Sequence, residues 1–81
     1  MKLPRDLTGD ELVKGLRRVG YAEVRQRGDH VLLSKTRNGE HHVTVPLHSP
    51  VKVGTLAAIL GGVAAHLQID RPELLARMKL S

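Results

Sequence analysis

The strongest constraint on this 81-residue chain is a change of hydrophobic period. From Leu12 to Val19 apolar residues recur at helical spacing. From Tyr21 to Pro46 the chain instead alternates apolar and polar in three short runs. Tight-turn residues separate the runs: Arg27-Gly28-Asp29 after the first, and Thr36-Arg37-Asn38-Gly39 after the second. A period near 3.6 buries one stripe of a helix, whereas a period of 2 buries one face of a strand. Short turns of this kind join antiparallel neighbours, and Asn-Gly is a strong hairpin signal. The middle of the chain therefore reads as a three-stranded antiparallel meander. Its strands begin near Tyr21, His30 and His41, and Pro46 ends the third. In the first strand the alternation puts Ala22 and Val24 on one face and Tyr21, Glu23 and Arg25 on the other.

Helices flank this meander. Thr8 with Glu11 forms a capping box, Leu7 and Leu12 are spaced for a hydrophobic staple, and Gly20 is placed to stop the helix, which spans about 9–19. A second helix starts near Gly54-Thr55, carries Leu56, Ile59, Leu60 and Val63, and runs to His66 or Leu67, with a kink expected at Gly61-Gly62. Asp70 and Glu73 then cap a short helix over about 71–79 containing Leu74, Leu75 and Met78. The order is α-β-β-β-α plus a C-terminal helix, an α+β architecture with helices packed on one face of the sheet. It reads as a single domain over 1–81, with a core of about 8–65 and a helical extension of about 66–81.

Composition narrows the function. The chain is too short for a deep-pocket enzyme. It has no cysteine, which removes disulfides, thiolate metal sites and cysteine nucleophiles. Tyr21 is the only aromatic residue, so the common single-strand RNA readers that stack bases on aromatic platforms are excluded. No apolar run is long enough for a membrane span, and the N-terminus lacks a signal-peptide core, so no membrane partner and a cytoplasmic location are expected. The formal charge of +5 is local. Seven basic residues between 14 and 37 face only two acidic ones, while the remainder is balanced. Such an excess fits a polyanion or an acidic protein partner, or simply a solvated face.

Little of the chain matches catalytic motifs. Gly61-Gly62 has no following Lys-Ser/Thr and is no phosphate loop. The five histidines, His30, His41, His42, His48 and His66, lack metal-ligand spacing, so no metal and no cofactor are expected. A histidine can act as acid or base near neutral pH, and His30 has the best setting, following a glycine turn with Arg25, Arg27 and Lys35 near in sequence. An exposed strand histidine without function is the competing reading. Residues 63–74 superficially resemble a helix-turn-helix, which would make the chain a DNA-binding regulator. A helical extension that packs on the sheet is the alternative.

Four segments together resemble HicA-type (YcfA-like) mRNA interferase toxins of HicA/HicB toxin–antitoxin pairs. They are the helix ending at Gly20-Tyr21; Arg25-Gln26-Arg27-Gly28-Asp29-His30; Val43-Thr44-Val45-Pro46-Leu47-His48; and Gly54-Thr55-Leu56 with Ile59-Leu60. The resemblance spans about residues 8–65. It implies a double-stranded-RNA-binding-like fold, metal-independent cleavage of mRNA with His30 essential, and a HicB-like antitoxin that covers the site. Arg25, Arg27, Lys35, Arg17 and Arg18 are the expected RNA contacts, with Gly28 and Asp29 forming the turn that supports His30. Water, His42 or His48 would supply the second proton transfer. Asp29 departs from the serine usual in the family, which favours an alternative in which the chain is an inactive RNA-binding module.

Overall fold

The computed structural model describes residues 4, 6–36, 39–47 and 50–80. The elements are α1 (Gly9–Arg18), β1 (Ala22–Arg27), β2 (His30–Lys35), β3 (His41–Pro46), α2 (Val53–Leu67) and α3 (Arg71–Arg77). This is the α-β-β-β-α-α order read from the sequence. The three strands form one antiparallel sheet in the order β1-β2-β3.

The punctuation acts as its chemistry dictates. Thr8 accepts from the Glu11 N–H, and Glu11 accepts from the Thr8 N–H, closing the capping box on α1. At the other end the N–H of Gly20 donates to the Arg17 carbonyl and that of Tyr21 to the Leu16 carbonyl. These two bonds are those of a Schellman stop, which requires the positive φ that Gly20 adopts at +101°. Gly28 opens the β1–β2 turn with φ +55°, the conformation a first-position glycine supplies in a two-residue hairpin. The β2–β3 ladder reaches Lys35 opposite His41. Arg37 and Asn38 of the expected Asn-Gly turn lie outside the described residues.

Alternation sorts the sheet into two faces. Val31, Leu33, Val43 and Val45 are buried against the helices with Leu12, Leu16, Leu56, Leu60 and Val63. Gly61 and Gly62 both lie within α2, which is continuous from Val53 to Leu67. A side chain at Gly62 would sit over the His41 ring.

The last helix belongs to the same core. Leu74, Leu75 and Met78 are fully buried, and Met78 lies against Gly15 of α1. Arg18 donates to the Met78 carbonyl at 3.1 Å, tying the chain end to α1. With its apolar face buried, α3 is a packing element, but it packs on α1 and α2 rather than on the sheet as the alternative to the helix-turn-helix reading expected. Among the described residues no single helix is long and apolar enough to cross a membrane.

The structure departs from simple alternation once. β1 carries a register irregularity between Glu23 and Arg25: Glu23 pairs with Leu33, and Arg25 with Leu32. Val24 is the extra residue and is 58% exposed. A one-residue bulge inverts the facing of everything after it. Strict alternation puts Arg25 on the face of Tyr21, toward the helices. The bulge brings Arg25 and Arg27 onto the opposite, helix-free face, beside Leu32 and His30.

Candidate active face

The helix-free face of the sheet is assembled rung by rung. Arg27 pairs with His30, and His30 with Pro46. Two residues along, Arg25 pairs with Leu32, and Leu32 with Thr44. Arg25, Arg27, Leu32 and Thr44 line one open pocket of about 270 Å³. Neither arginine has an ion-pair partner among the described residues. Arg27 thus sits directly beside the histidine on this face, and Arg25 one rung further along.

The turn holds His30 firmly. The Leu47 N–H donates to the Asp29 carbonyl at 2.5 Å, fastening the β1–β2 turn to the end of β3. Gln26 Nε2 donates to the Gly28 carbonyl at 3.1 Å. The Asp29 carboxylate lies 3.0 Å from His30 Nδ1, with both side chains about half exposed. A carboxylate at that distance accepts a hydrogen bond from Nδ1–H, and in that tautomer the lone pair is on Nε2.

The other expected RNA contacts are not brought to this face. Lys35 is buried on the helix side, where its ammonium donates to the Val19 carbonyl at 3.1 Å and crowds Gly20. It satisfies an open carbonyl at the C-terminus of α1, where a cation also meets the negative end of the helix dipole. Its parity with Val31 and Leu33 was the signal for this placement. Arg17 bridges to Glu23 at 3.0 Å, and Arg18 is engaged with Met78; both belong to α1. The basic excess of residues 14–37 is therefore divided between two sides of the domain, and Arg25 and Arg27 are the part that accompanies His30.

The remaining histidines separate in the same way. His42 is on the His30 face but pairs with Ser34, four residues along β2 from His30, and lies 3.1 Å from Glu40. Four strand residues span about 13 Å, too far for both rings to serve one phosphate. His48 lies outside the described residues. His41 faces the helices: its Nδ1 is 2.5 Å from the Tyr21 hydroxyl, and its ring stacks on His66 at 4.8 Å. Burial, then the charges of His66 and His42, hold its pKa below the usual histidine value. Burial also pushes the Tyr21 hydroxyl up to about 12. His66 Nε2 is buried without a hydrogen-bond partner among the described residues. Among those residues no three or more His, Asp or Glu side chains converge as a metal site.

The HicA toxin family of bacterial toxin–antitoxin systems matches residues 9–63. The chain belongs to the HicA toxin family. Neither curated proteins nor solved structures gave a match. The matched span of this HicA-family chain runs from the start of α1 into α2 and includes the whole sheet, the His30 turn and the bulge. Membership implies an antitoxin partner.

Proposed function

We propose that this chain is the toxin of a type II pair, an endoribonuclease that cleaves mRNA in the cytoplasm without a metal, with His30 as its acid–base group. The observation that carries the reading is His30 paired directly with Arg27 on the exposed sheet face, in a HicA-family chain. In the reaction the ribose 2′-oxygen bonds to the adjacent phosphorus and the P–O5′ bond breaks. His30 Nε2 accepts the 2′-hydroxyl proton, and the leaving 5′-oxygen takes a proton from water or from His48. Products are a 2′,3′-cyclic phosphate and a 5′-hydroxyl. Arg25 and Arg27 hold the phosphate and offset the charge that grows on its oxygens in the transition state. Asp29 orients the imidazole and balances the positive charge it acquires. A HicB-like antitoxin would silence the enzyme by covering this face.

The test replaces His30 with Ala and compares growth arrest on expression and cleavage of purified RNA. Loss of both by at least a hundredfold is expected. Undiminished cleavage by the variant removes His30 from the mechanism. The second reading, an RNA-binding module without activity, is favoured by Asp29, whose charge repels a phosphate. It would be selected by parental protein that binds RNA with strong salt dependence yet never cuts it.

A further inference from the structure

The pocket between Arg25, Arg27, Leu32 and Thr44 does more than the cleavage step requires. Holding a phosphate needs the two guanidinium groups alone. It needs neither an apolar floor nor a hydroxyl. Yet Leu32 stands between the arginines and Thr44 on a face where its neighbours His30, Ser34 and His42 are polar. No hydrogen bond engages the Thr44 side chain among the described residues. The apolar floor of the pocket lies one rung from His30: Leu32 is two residues along the strand, about 7 Å. That offset is of the order that separates a nucleotide's phosphate from its own base.

We propose that this pocket is a nucleobase seat, taking the base of a nucleotide next to the scissile phosphate. Leu32 contacts the face of the base, and the guanidinium planes of Arg25 and Arg27 stack where other RNA proteins use aromatic rings. The Thr44 hydroxyl, both donor and acceptor, meets the base edge. Charge complementarity favours RNA as the occupant, because two cations without an ion-pair partner among the described residues border the apolar floor. The bulge at Val24 is what makes the seat, since a ladder that paired Val24 in regular register would turn both arginines to the other face. The chain's shortage of aromatic residues is thereby met with arginine.

The proposal rests on the nuclease reading of the same face, and its test is kept separate from cleavage. The probe is a single-stranded RNA octamer carrying 2′-O-methyl groups throughout, which cannot be cut, and a set in which each position in turn is abasic. Binding to the full chain is measured by fluorescence anisotropy at fixed salt. At one position the abasic sugar should weaken binding about tenfold, within the range stacking supplies. In Leu32→Ser that penalty should shrink to less than threefold. In Thr44→Val, an exposed and nearly isosteric change, overall affinity should hold while preference among the four bases at that position flattens. Uniform penalties below twofold at every position, or an unchanged pattern in both variants, would overturn the seat and leave a pocket for phosphate only. The same is true if the octamers do not bind. A retained abasic penalty in protein that cleaves no RNA would instead defeat the nuclease reading and keep the seat. Cleavage of unmodified RNA without any base penalty would do the reverse.

Discussion

Replacing Lys35 with Met separates the two places this lysine could act. Met keeps much of the apolar stem and removes the ammonium. The ammonium donates to the Val19 carbonyl at 3.1 Å from a buried position. A hydrogen bond from a charged donor contributes about 1.5–3 kcal/mol, and the helix C-terminus adds up to about 1 kcal/mol. Relief of the desolvated charge offsets part of this, and leaving the Val19 carbonyl open adds back some. A net loss of about 1–2 kcal/mol is expected. At about 4–8 °C per kcal/mol for a domain of this size, Tm should fall by roughly 5–15 °C. Thermal melts followed by circular dichroism give that number. RNA binding provides the contrast. The slope of log K against log salt should be unchanged in Lys35→Met, measured below its melting range. In Arg27→Met it should shrink by about 0.7, one phosphate contact on a single strand. An unshifted Tm together with a shallower slope in Lys35→Met would refute the placement of Lys35 as a helix stop and return it to the RNA face.

The His41 environment makes stability fall in mild acid. Its folded pKa lies below the ordinary 6.5, so its contribution is complete above pH 6.5 and is lost as pH falls below it; His41→Gln should flatten the Tm profile between pH 7 and 5. Tyr21, the sole tyrosine, should ionise near pH 12 in the folded protein when followed by absorbance at 295 nm, and near 10 after unfolding. Two glycines should respond oppositely to alanine. Gly62→Ala places its Cβ 3.7 Å from His41 Nε2, an ordinary contact, and should stabilise by about 0.5–1 kcal/mol in urea melts. Gly15→Ala meets Met78 atoms at 3.0 and 3.1 Å and should destabilise by about 1–3 kcal/mol. Leu75→Ala should cost about 2–5 kcal/mol, and removal of residues 66–81 should leave a chain without a cooperative melt, because Leu74, Leu75 and Met78 fill the common core.

The order of elements was legible because stops and starts are written in local chemistry. Thr8 with Glu11, Gly20, Gly28 and Asp70 each act within a few residues of themselves, so the sequence around them suffices. The faces of β2 and β3 were equally legible: Val31 and Leu33, then Val43 and Val45, alternate without interruption. The position of His30 at the head of β2 was legible through the glycine turn before it. What escaped were contacts between segments far apart in the chain. Lys35 looks like one more member of a basic run until the end of α1 is folded back onto it. Arg17 and Arg18 look the same until Glu23 and the Met78 carbonyl meet them. The β1 face escaped for another reason. A bulge leaves no mark in composition, and Val24 fits the alternation well enough to hide that the ladder skips it. Leu32 and Thr44 gave a usable signal, an apolar residue on the polar parity of β2 opposite a hydroxyl.

The bulge at Val24 also divides the labour of a single strand. Its first residues, Glu23 among them, answer to α1 through Arg17, whereas its last residues carry the charges that face solvent. Changes in the anchoring half and in the working half can therefore accumulate separately. Deletion of Val24 alone would leave a regular ladder in which Glu23 still pairs with Leu33 and Arg25 with Leu32, so both arginines would keep their face. A frame-preserving loss of the three nucleotides that encode Val24 would thus straighten the strand without moving a charge off the working face.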